Sequence, residues 1–389
     1  MKTRVLLPLL VAAIACSLLA SPAAAQKRRE ASGAPAEVLT GLDVLKRDSF
    51  GPLKGKKIAI ITNHTGRDRD GNHIVELLHK AEGVTIVSLF SPEHGLYGET
   101  RRPTDEMLKG IDALVFDIAD VGARFYTYSA TLGICMEEAA KRNIAFFVLD
   151  RPNPITGLIV EGPIADKKYY GFTAYGPMPV AHGMTFGELA QMYKGDFGVS
   201  DVDLHIVKME GWKRDMWFDE TGLLWQNPSP NMRNLTQALL YTGVCQIEAT
   251  NVSVGRGTDQ PFELFGAPWI DGKKLSAELN AAKIPGLRAI PIEFTPESSK
   301  FKGEKCNGVF LLVTDRNALD PVAAGIHIAS SLHKLFGDKF EVDKVVRLLQ
   351  NDAALAAIKE GKDPKSIPAM WQKDLEQFKK IREKHLIYK

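Results

Sequence analysis

Cysteine is scarce in this chain: Cys16, Cys135, Cys245 and Cys306 are the only four in 389 residues. Cys16 lies in an N-terminal apolar run and the other three are far apart, which argues against a disulfide framework and for buried free thiols. No Cys-x-x-Cys pair and no H-E-x-x-H occurs, so the compact zinc spacings are missing. Charge of one sign is missing too, since 49 basic residues face 47 acidic ones and no long like-charged block follows Lys27-Arg28-Arg29. A nucleic-acid or anionic-membrane partner therefore has no electrostatic support. No G-x-G-x-x-G follows the first strand, and Gly255-Arg256-Gly257-Thr258 lacks a P-loop Lys-Ser/Thr, which leaves nucleotide binding without a motif. No metal and no cofactor is expected. Internal repeats and low-complexity tracts are absent.

Long apolar runs are confined to residues 5–20. Lys2 and Arg4 precede that run and Ala23-Ala24-Ala25 follows it with small residues at an A-x-A position. The pattern predicts a signal peptide over residues 1–25 and an exported, periplasmic or extracellular protein. The run is shorter than the roughly 20 residues a bilayer needs, and no later stretch approaches it, so stable membrane insertion is not expected. Residues 26–38 are polar and basic and read as a flexible lead-in. The sequence says nothing of oligomeric state.

What is present is an alternation of short apolar strands and amphipathic helices. Strands are predicted at 57–62, 84–90, 113–117 and 145–150, with helices at 74–81 and 129–141 between them. A helix running through Lys194, a strand at 204–208 and a helix from Leu235 follow. This is the pattern of a parallel sheet covered on both faces, giving an α/β fold: a Rossmann-like N-terminal domain over 39–262. A helix at 273–282, strands at 288–294 and 307–314, and helices at 321–336, 343–350 and 371–384 predict a smaller C-terminal α/β domain over 263–389.

Open α/β sheets bind ligands beyond the carboxyl ends of their strands. Asn63 and His64 follow the first strand, Glu93 and His94 the second, Asp117 to Asp120 and Arg124 the third, and Asp150, Arg151 and Asn153 the fourth. Glu93 is the foremost candidate for a proton donor, between Pro92 and His94 and just before Gly95. Asp117, Asp120, Asp150, Glu161 and Glu248 offer a second carboxylate, and spacing alone does not choose among them. Arg124 and Arg151 are suited to a substrate carboxylate, held bidentately. His64, His94 and His182 would be the ligands of a metal-dependent alternative. Tyr126, Tyr128, Trp212, Trp217, Trp225 and Trp269 could stack on a sugar.

Several long strings then carry a resemblance: F-S-P-E-H-G at 90–95, V-F-D-I-A-D-V-G-A-R-F-Y-T-Y at 115–128, L-D-R-P-N-P at 149–154, V-E-G-P at 160–163 and H-G-M-T-F-G-E-L at 182–189. P-S-P-N-M at 228–232, T-N-V-S-V-G-R-G-T at 250–258 and G-A-P-W at 266–269 extend it. Together they resemble the NamZ family of exo-acting β-N-acetylmuramidases over nearly the whole mature chain. The resemblance implies a Rossmann-like domain, a smaller C-terminal domain, a cleft between them, and release of N-acetylmuramic acid from the non-reducing end of peptidoglycan fragments such as MurNAc-GlcNAc and muropeptides. It points to Glu93 as proton donor; the second carboxylate or water-activating group is left to Asp120, Asp150, Glu161 or Glu248, with Asp120 and Glu161 taken as catalytic candidates. Asn63, His94, Arg124, Tyr126, Asp150, Arg151, Asn153, His182, Asn231, Asn251 and Arg256 are then expected to bind substrate. The chain departs from the family between Gly98 and Pro103, where relatives carry a longer segment, and at Ala119, Arg233 and Ala249, where Gln, Pro and Gly are usual. A glycan-binding protein without turnover is the expectation if that shortened segment removes a wall of the site.

Overall fold

Apolar runs buried along their whole length need cover on both faces, and three such runs form the middle of one sheet. The computed structural model describes residues 37–92 and 101–389. In chain order, α1 (Gly41–Arg47), β1 (Lys57–Thr62), α2 (Ile74–Lys80) and β2 (Thr85–Phe90) come first. They are followed by β3 (Ala113–Asp117), α3 (Tyr128–Lys141), β4 (Ala145–Leu149), α4 (Phe186–Gly195) and β5 (Leu204–Val207). The five strands are parallel, in the order β2-β1-β3-β4-β5. β3 and β4 are buried throughout and β1 is exposed only at Lys57. β2, at the edge, leaves Val87 and Leu89 about half exposed.

The period of two along each strand divides its side chains between two cores. Ala59, Ile61, Leu114, Phe116, Phe146 and Val148 join the side chains of α3 and α4, including Leu132, Met136, Phe186 and Leu189. Ile58, Ile60, Ala113, Val115, Phe147 and Leu149 meet Leu42 and Leu45 of α1 and Ile74 and Leu78 of α2. A capping box starts α1, where Thr40 N donates to Asp43 Oδ2 at 2.8 Å and Asp43 N to Thr40 Oγ1 at 3.3 Å. Gly41 is required there, because a Cβ would lie 2.4 Å from Asp150 N and 2.5 Å from Val207 O.

The second part contains α5 (Leu235–Val244), β6 (Leu264–Ala267), α6 (Gly272–Ala281), β7 (Leu287–Phe294), β8 (Cys306–Val313), α7 (Pro321–Phe336), α8 (Val346–Leu349), α9 (Asp352–Lys359) and α10 (Gln372–Glu383). Its three strands are antiparallel in the order β6-β8-β7. α5 packs on α7 so closely that a Cβ on Gly243 would lie 2.0 Å from Pro321 O. One hydrophobic core runs from α3 and α4 through α5 and α7 to α9 and α10. The architecture is the expected α/β fold with a smaller second sheet.

Three elements escape the sequence pattern: α1, β6 and α9. Each is short, and β6 contains Gly266, so their apolar residues complete no recognisable period. The helix expected over 343–350 is a 3₁₀ turn, Val342–Val345, running into α8. Val38, placed in the lead-in by composition, is fully buried against Met209, Trp212 and Tyr388. The core therefore begins there. Cys135, Cys245 and Cys306 are buried free thiols. Among the described residues, no helix is long and apolar enough to cross a membrane. After α10 the chain returns to the carboxyl ends of β4 and β5 and to α4, where Tyr388 Oη donates to Asp150 Oδ2 at 2.7 Å and Ile387 N to Glu188 Oε1 at 2.9 Å.

Candidate functional site

From β1 the chain steps outward to β2 and then crosses back to β3, so the strand order switches between β1 and β3. The carboxyl ends of strands at such a reversal open a crevice. Three loops meet there and are wired to one another. Asn63 Oδ1 accepts from Thr65 N at 2.9 Å and Thr65 Oγ1 at 2.6 Å, and Thr65 Oγ1 accepts from Ala119 N at 3.0 Å, joining the loops after β1 and β3. Arg151, after β4, donates twice to Asp117 at 2.5 and 2.9 Å and once to Arg67 O at 2.9 Å. Burial raises the Asp117 carboxyl above its ordinary value, with the Arg151 guanidinium opposing the shift. The result is a stiff rim, which preorganises whatever it binds.

The rim borders an open cleft. Its lining includes the polar residues Thr65, Arg67, Asp68, Asp120 and Arg151 and the apolar residues Phe218, Leu223, Leu224, Trp225 and Pro228. Leu224 is 75% exposed, an apolar side chain with little to pack on. Trp225 stands edge-on to Phe218, with ring centroids 5.1 Å apart. A lining of both apolar and polar side chains suits a pyranose, whose ring faces are apolar and whose rim is hydroxylated.

Asp120 is the unusual group in this cleft. It is 5% exposed, and neither carboxyl oxygen has a hydrogen-bond partner among the described residues. Among the described residues its one partner within ion-pair distance is His182, whose Nε2 lies 3.4 Å from Oδ2. His182 is fully buried and its Nδ1 accepts from Met184 N at 3.2 Å, so a neutral ring carries its proton on Nε2, towards Asp120. Leaving a buried carboxylate without donors costs about 1–3 kcal/mol or more, and such a cost persists where function uses the group. Tyr126 lies beside this pair, edge-on to Tyr128 at 4.9 Å and close to Ser229, and burial holds its phenol well above the usual range. Tyr128 Oη takes a bond from Asn63 Nδ2 at 3.1 Å and donates to Pro228 O at 3.3 Å.

A second, larger cavity lies between the ends of β1 and β2. It is lined by Asn63, His64, Ser91, Pro92, Arg101 and Phe172 among others. Glu93 and His94 lie outside the described residues. Pro92, the residue before Glu93, is on this wall, and the loop after β1 contributes to both cavities.

Asn63, Asp120, Tyr126, Arg151 and His182 thus gather at the ends of β1, β3 and β4. Asn231 follows the Pro228 wall and is half-buried. Several expected substrate binders do other work. Arg124 is fully buried and donates to four backbone carbonyls, Pro163 O, Met178 O, Leu348 O and Leu349 O, so it is no carboxylate clamp. Asp150 accepts from Arg151 N, Thr185 Oγ1, Gly187 N and Tyr388 Oη, which ties α4 and the C-terminal residues to β4. Asn153 bridges Met184 O and Ile155 N. Asn251 holds Lys339 O and Glu341 N. Arg256 pairs with Glu248 and lies over the Phe262 ring. His64 Nε2 meets Asn227 O at 2.5 Å. Trp212 and Trp217 are buried and Trp269 stands against Phe336, which leaves Trp225 as the cleft tryptophan. Among the described residues, no three His, Cys, Asp or Glu side chains converge on a metal position.

Glu161 is absent from the cleft. It sits half-buried with Asp320, Lys379 and Glu376 as its charged neighbours, and burial, then Asp320, pushes its carboxyl up to about 7. A folded value above the ordinary 4.5 means the protonated form is favoured by folding. This contribution is complete below about pH 4.5 and is lost as pH rises through about 7. Glu161→Gln is therefore expected to stabilise the protein by about 1–2 kcal/mol at pH 8, after allowing for solvent screening, and to change nothing at pH 4. Denaturant midpoints at the two pH values check this. Equal midpoints for variant and wild type at pH 8 would refute it.

Thr65, Arg67, Asp68, Phe218 and Leu224 were not singled out from the sequence. The apolar triplet Leu223-Leu224-Trp225, between Gly222 and the Pro228-Ser229-Pro230 turn, was the available signal, because nothing in a loop buries such a run.

Comparison with known proteins follows the same outline. The sequence model of the family described as exo-β-N-acetylmuramidase NamZ, N-terminal, matches residues 58–99 and 95–236, in two overlapping pieces. The model of its C-terminal counterpart matches residues 239–388. The chain is 39% identical over 400 residues to the peptidoglycan β-N-acetylmuramidase NamZ of Bacillus subtilis (strain 168), covering 96% of each. Two solved DUF1343 family proteins of Bacteroides fragilis NCTC 9343 are similar in structure. One has a TM-score of 0.86 and 34% identity over 91% of this chain and 100% of its own. The other has a TM-score of 0.75 and 31% identity over 91% and 99%.

Proposed function

The chain belongs to the NamZ family of exo-β-N-acetylmuramidases, and from that premise we propose that Glu93 protonates the leaving glycosidic oxygen while Asp120 supplies the second carboxylate. The protein is a glycoside hydrolase that releases terminal N-acetylmuramic acid from peptidoglycan fragments in wall turnover. Glycoside cleavage passes through an oxocarbenium-like transition state and ordinarily uses two carboxyl groups, one as acid and one facing the developing positive charge. The observation that carries Asp120 is its buried carboxylate at the cleft beside β1 and β3, without a hydrogen-bond donor among the described residues and with His182 Nε2 3.4 Å away. Glu93 is supported by its place in F-S-P-E-H-G directly after β2. Export is part of the same reading, supported by the basic, apolar and A-x-A pattern of residues 1–25.

The test is hydrolysis of MurNAc-GlcNAc and of a 4-nitrophenyl β-N-acetylmuramide by wild type and Glu93→Gln. Loss of a general acid slows the disaccharide by about 100-fold but largely spares the nitrophenyl sugar, whose leaving group needs no proton. Equal loss on both substrates would remove Glu93 from the proton-donor role. Binding without turnover by wild type would leave a glycan-binding protein.

A further inference from the structure

The cleft holds several charged side chains, and most are paired within the protein. Asp68 and Asp70 each accept from Lys46 Nζ, at 2.7 and 2.9 Å. Arg69 pairs with Glu37 at 2.6 Å and Arg151 with Asp117. Asp120 is the anion left without a hydrogen-bond donor among the described residues. Arg67 is the cation left without a carboxylate. Its Nε donates to His64 O at 3.2 Å and its Nη1 to Gly71 O at 2.7 Å, both of them uncharged carbonyls. Among the described residues no carboxylate lies within ion-pair distance of it, and its Nη2 has no acceptor.

Two carbonyl bonds hold this guanidinium in place while leaving its charge unspent. A recognition cation needs that combination, since a side chain already immobilised loses little entropy when the ligand arrives. The half-buried position also makes attraction to an anion stronger than on an open surface. N-Acetylmuramic acid differs from N-acetylglucosamine by a lactyl ether at C3, and that ether carries the sugar's one negative charge. We propose that Arg67 binds the lactyl carboxylate and is the residue by which the enzyme selects N-acetylmuramic acid over neutral N-acetylhexosamines. This rests on the reading of the chain as a muramidase. With a neutral sugar the cation stays unpaired, and the binding energy of a charge-assisted hydrogen bond is lost.

The experiment compares wild type, Arg67→Met and Arg67→Lys on three nitrophenyl substrates: the β-N-acetylmuramide, its lactyl methyl ester and the β-N-acetylglucosaminide. Arg67→Met is expected to lower kcat/KM on the acid by about 30-fold, chiefly through KM, and to leave the ester and the glucosaminide within about twofold. Arg67→Lys should recover part of the loss, because the charge returns without the fork. Because Arg67 also braces the loop after β1, equal losses on acid and ester would show that it acts only through that loop and would overturn the proposal. An unchanged KM on the acid would overturn it as well. Binding of free N-acetylmuramic acid, followed by calorimetry, separates this proposal from the parent reading. If wild type binds the free acid without hydrolysing any substrate, the muramidase reading fails while a weaker affinity of Arg67→Met still supports the anchor. Equal affinities in wild type and variant would refute the anchor whatever the activity.

Discussion

Asp120→Asn is expected to lower kcat by about 1,000-fold, equivalent to about 4 kcal/mol of transition-state stabilisation, while the unfolding midpoint stays level or rises. The two halves of that result have one cause. The Asp120 carboxyl oxygens are screened from solvent and take no hydrogen bond among the described residues, so in the resting protein the charge is a burden. Asparagine keeps the shape and removes the charge, and its Oδ1 can face His182 Nε2. A residue kept for packing would give the opposite pattern, with stability lost and activity per folded molecule preserved. The measurement is kcat on the nitrophenyl muramide together with thermal unfolding of the same samples. A variant that is less stable yet turns over normally would return Asp120 to a structural role. KM should move little, because the carboxylate is invoked against charge that exists only in the transition state.

The parallel sheet was readable because its signals are local. β1, β3 and β4 are short apolar runs, and burial on both faces is what makes such runs continuous. Placing Asn63, Asp120 and Arg151 together also needed only the rule that strand ends of an α/β sheet converge on one side. α1 and β6 were missed for the converse reason. Leu264–Ala267 takes its conformation from pairing with β8, and Gly41–Arg47, although it opens on a local Thr40–Asp43 capping box, has only seven residues and depends on the close approach of Gly41 to Asp150 and Val207.

The site was legible as a location and much less so as a set of roles. Arg124, Asp150 and Asn251 are polar residues in the right motifs, yet each spends its hydrogen bonds on backbone or on neighbouring side chains. Residue type does not reveal this, because a buried arginine serving carbonyls and one awaiting a carboxylate read alike. Arg67 shows the reverse case. It sits in an unremarkable T-G-R-D-R-D stretch, and what distinguishes it is the list of partners it lacks. A charge left over after pairing is a property of the folded whole.

Arg124→Met is expected to destabilise the protein by about 3–5 kcal/mol, the cost of stripping the partner from a buried polar network. Leu348 O and Leu349 O are terminal carbonyls of α8, which has no following turn to satisfy them, and Arg124 Nη2 reaches both at 3.2 and 2.9 Å. Arg124 Nη1 meets Pro163 O at 2.9 Å and Met178 O at 2.7 Å. One planar fork therefore stitches the segment around residues 163–178 to the second part of the chain. Methionine fills the space and orphans these acceptors. Lysine restores the charge but presents a single ammonium where two separated nitrogens are needed, so Arg124→Lys should recover less than half of the loss. Urea midpoints of the three proteins check the ranking, and kcat and KM of the folded fraction at low temperature check the role. Because the guanidinium touches no cleft residue, KM on the muramide should stay within about twofold of wild type. Wild-type stability with a tenfold higher KM would mean that Arg124 binds substrate after all.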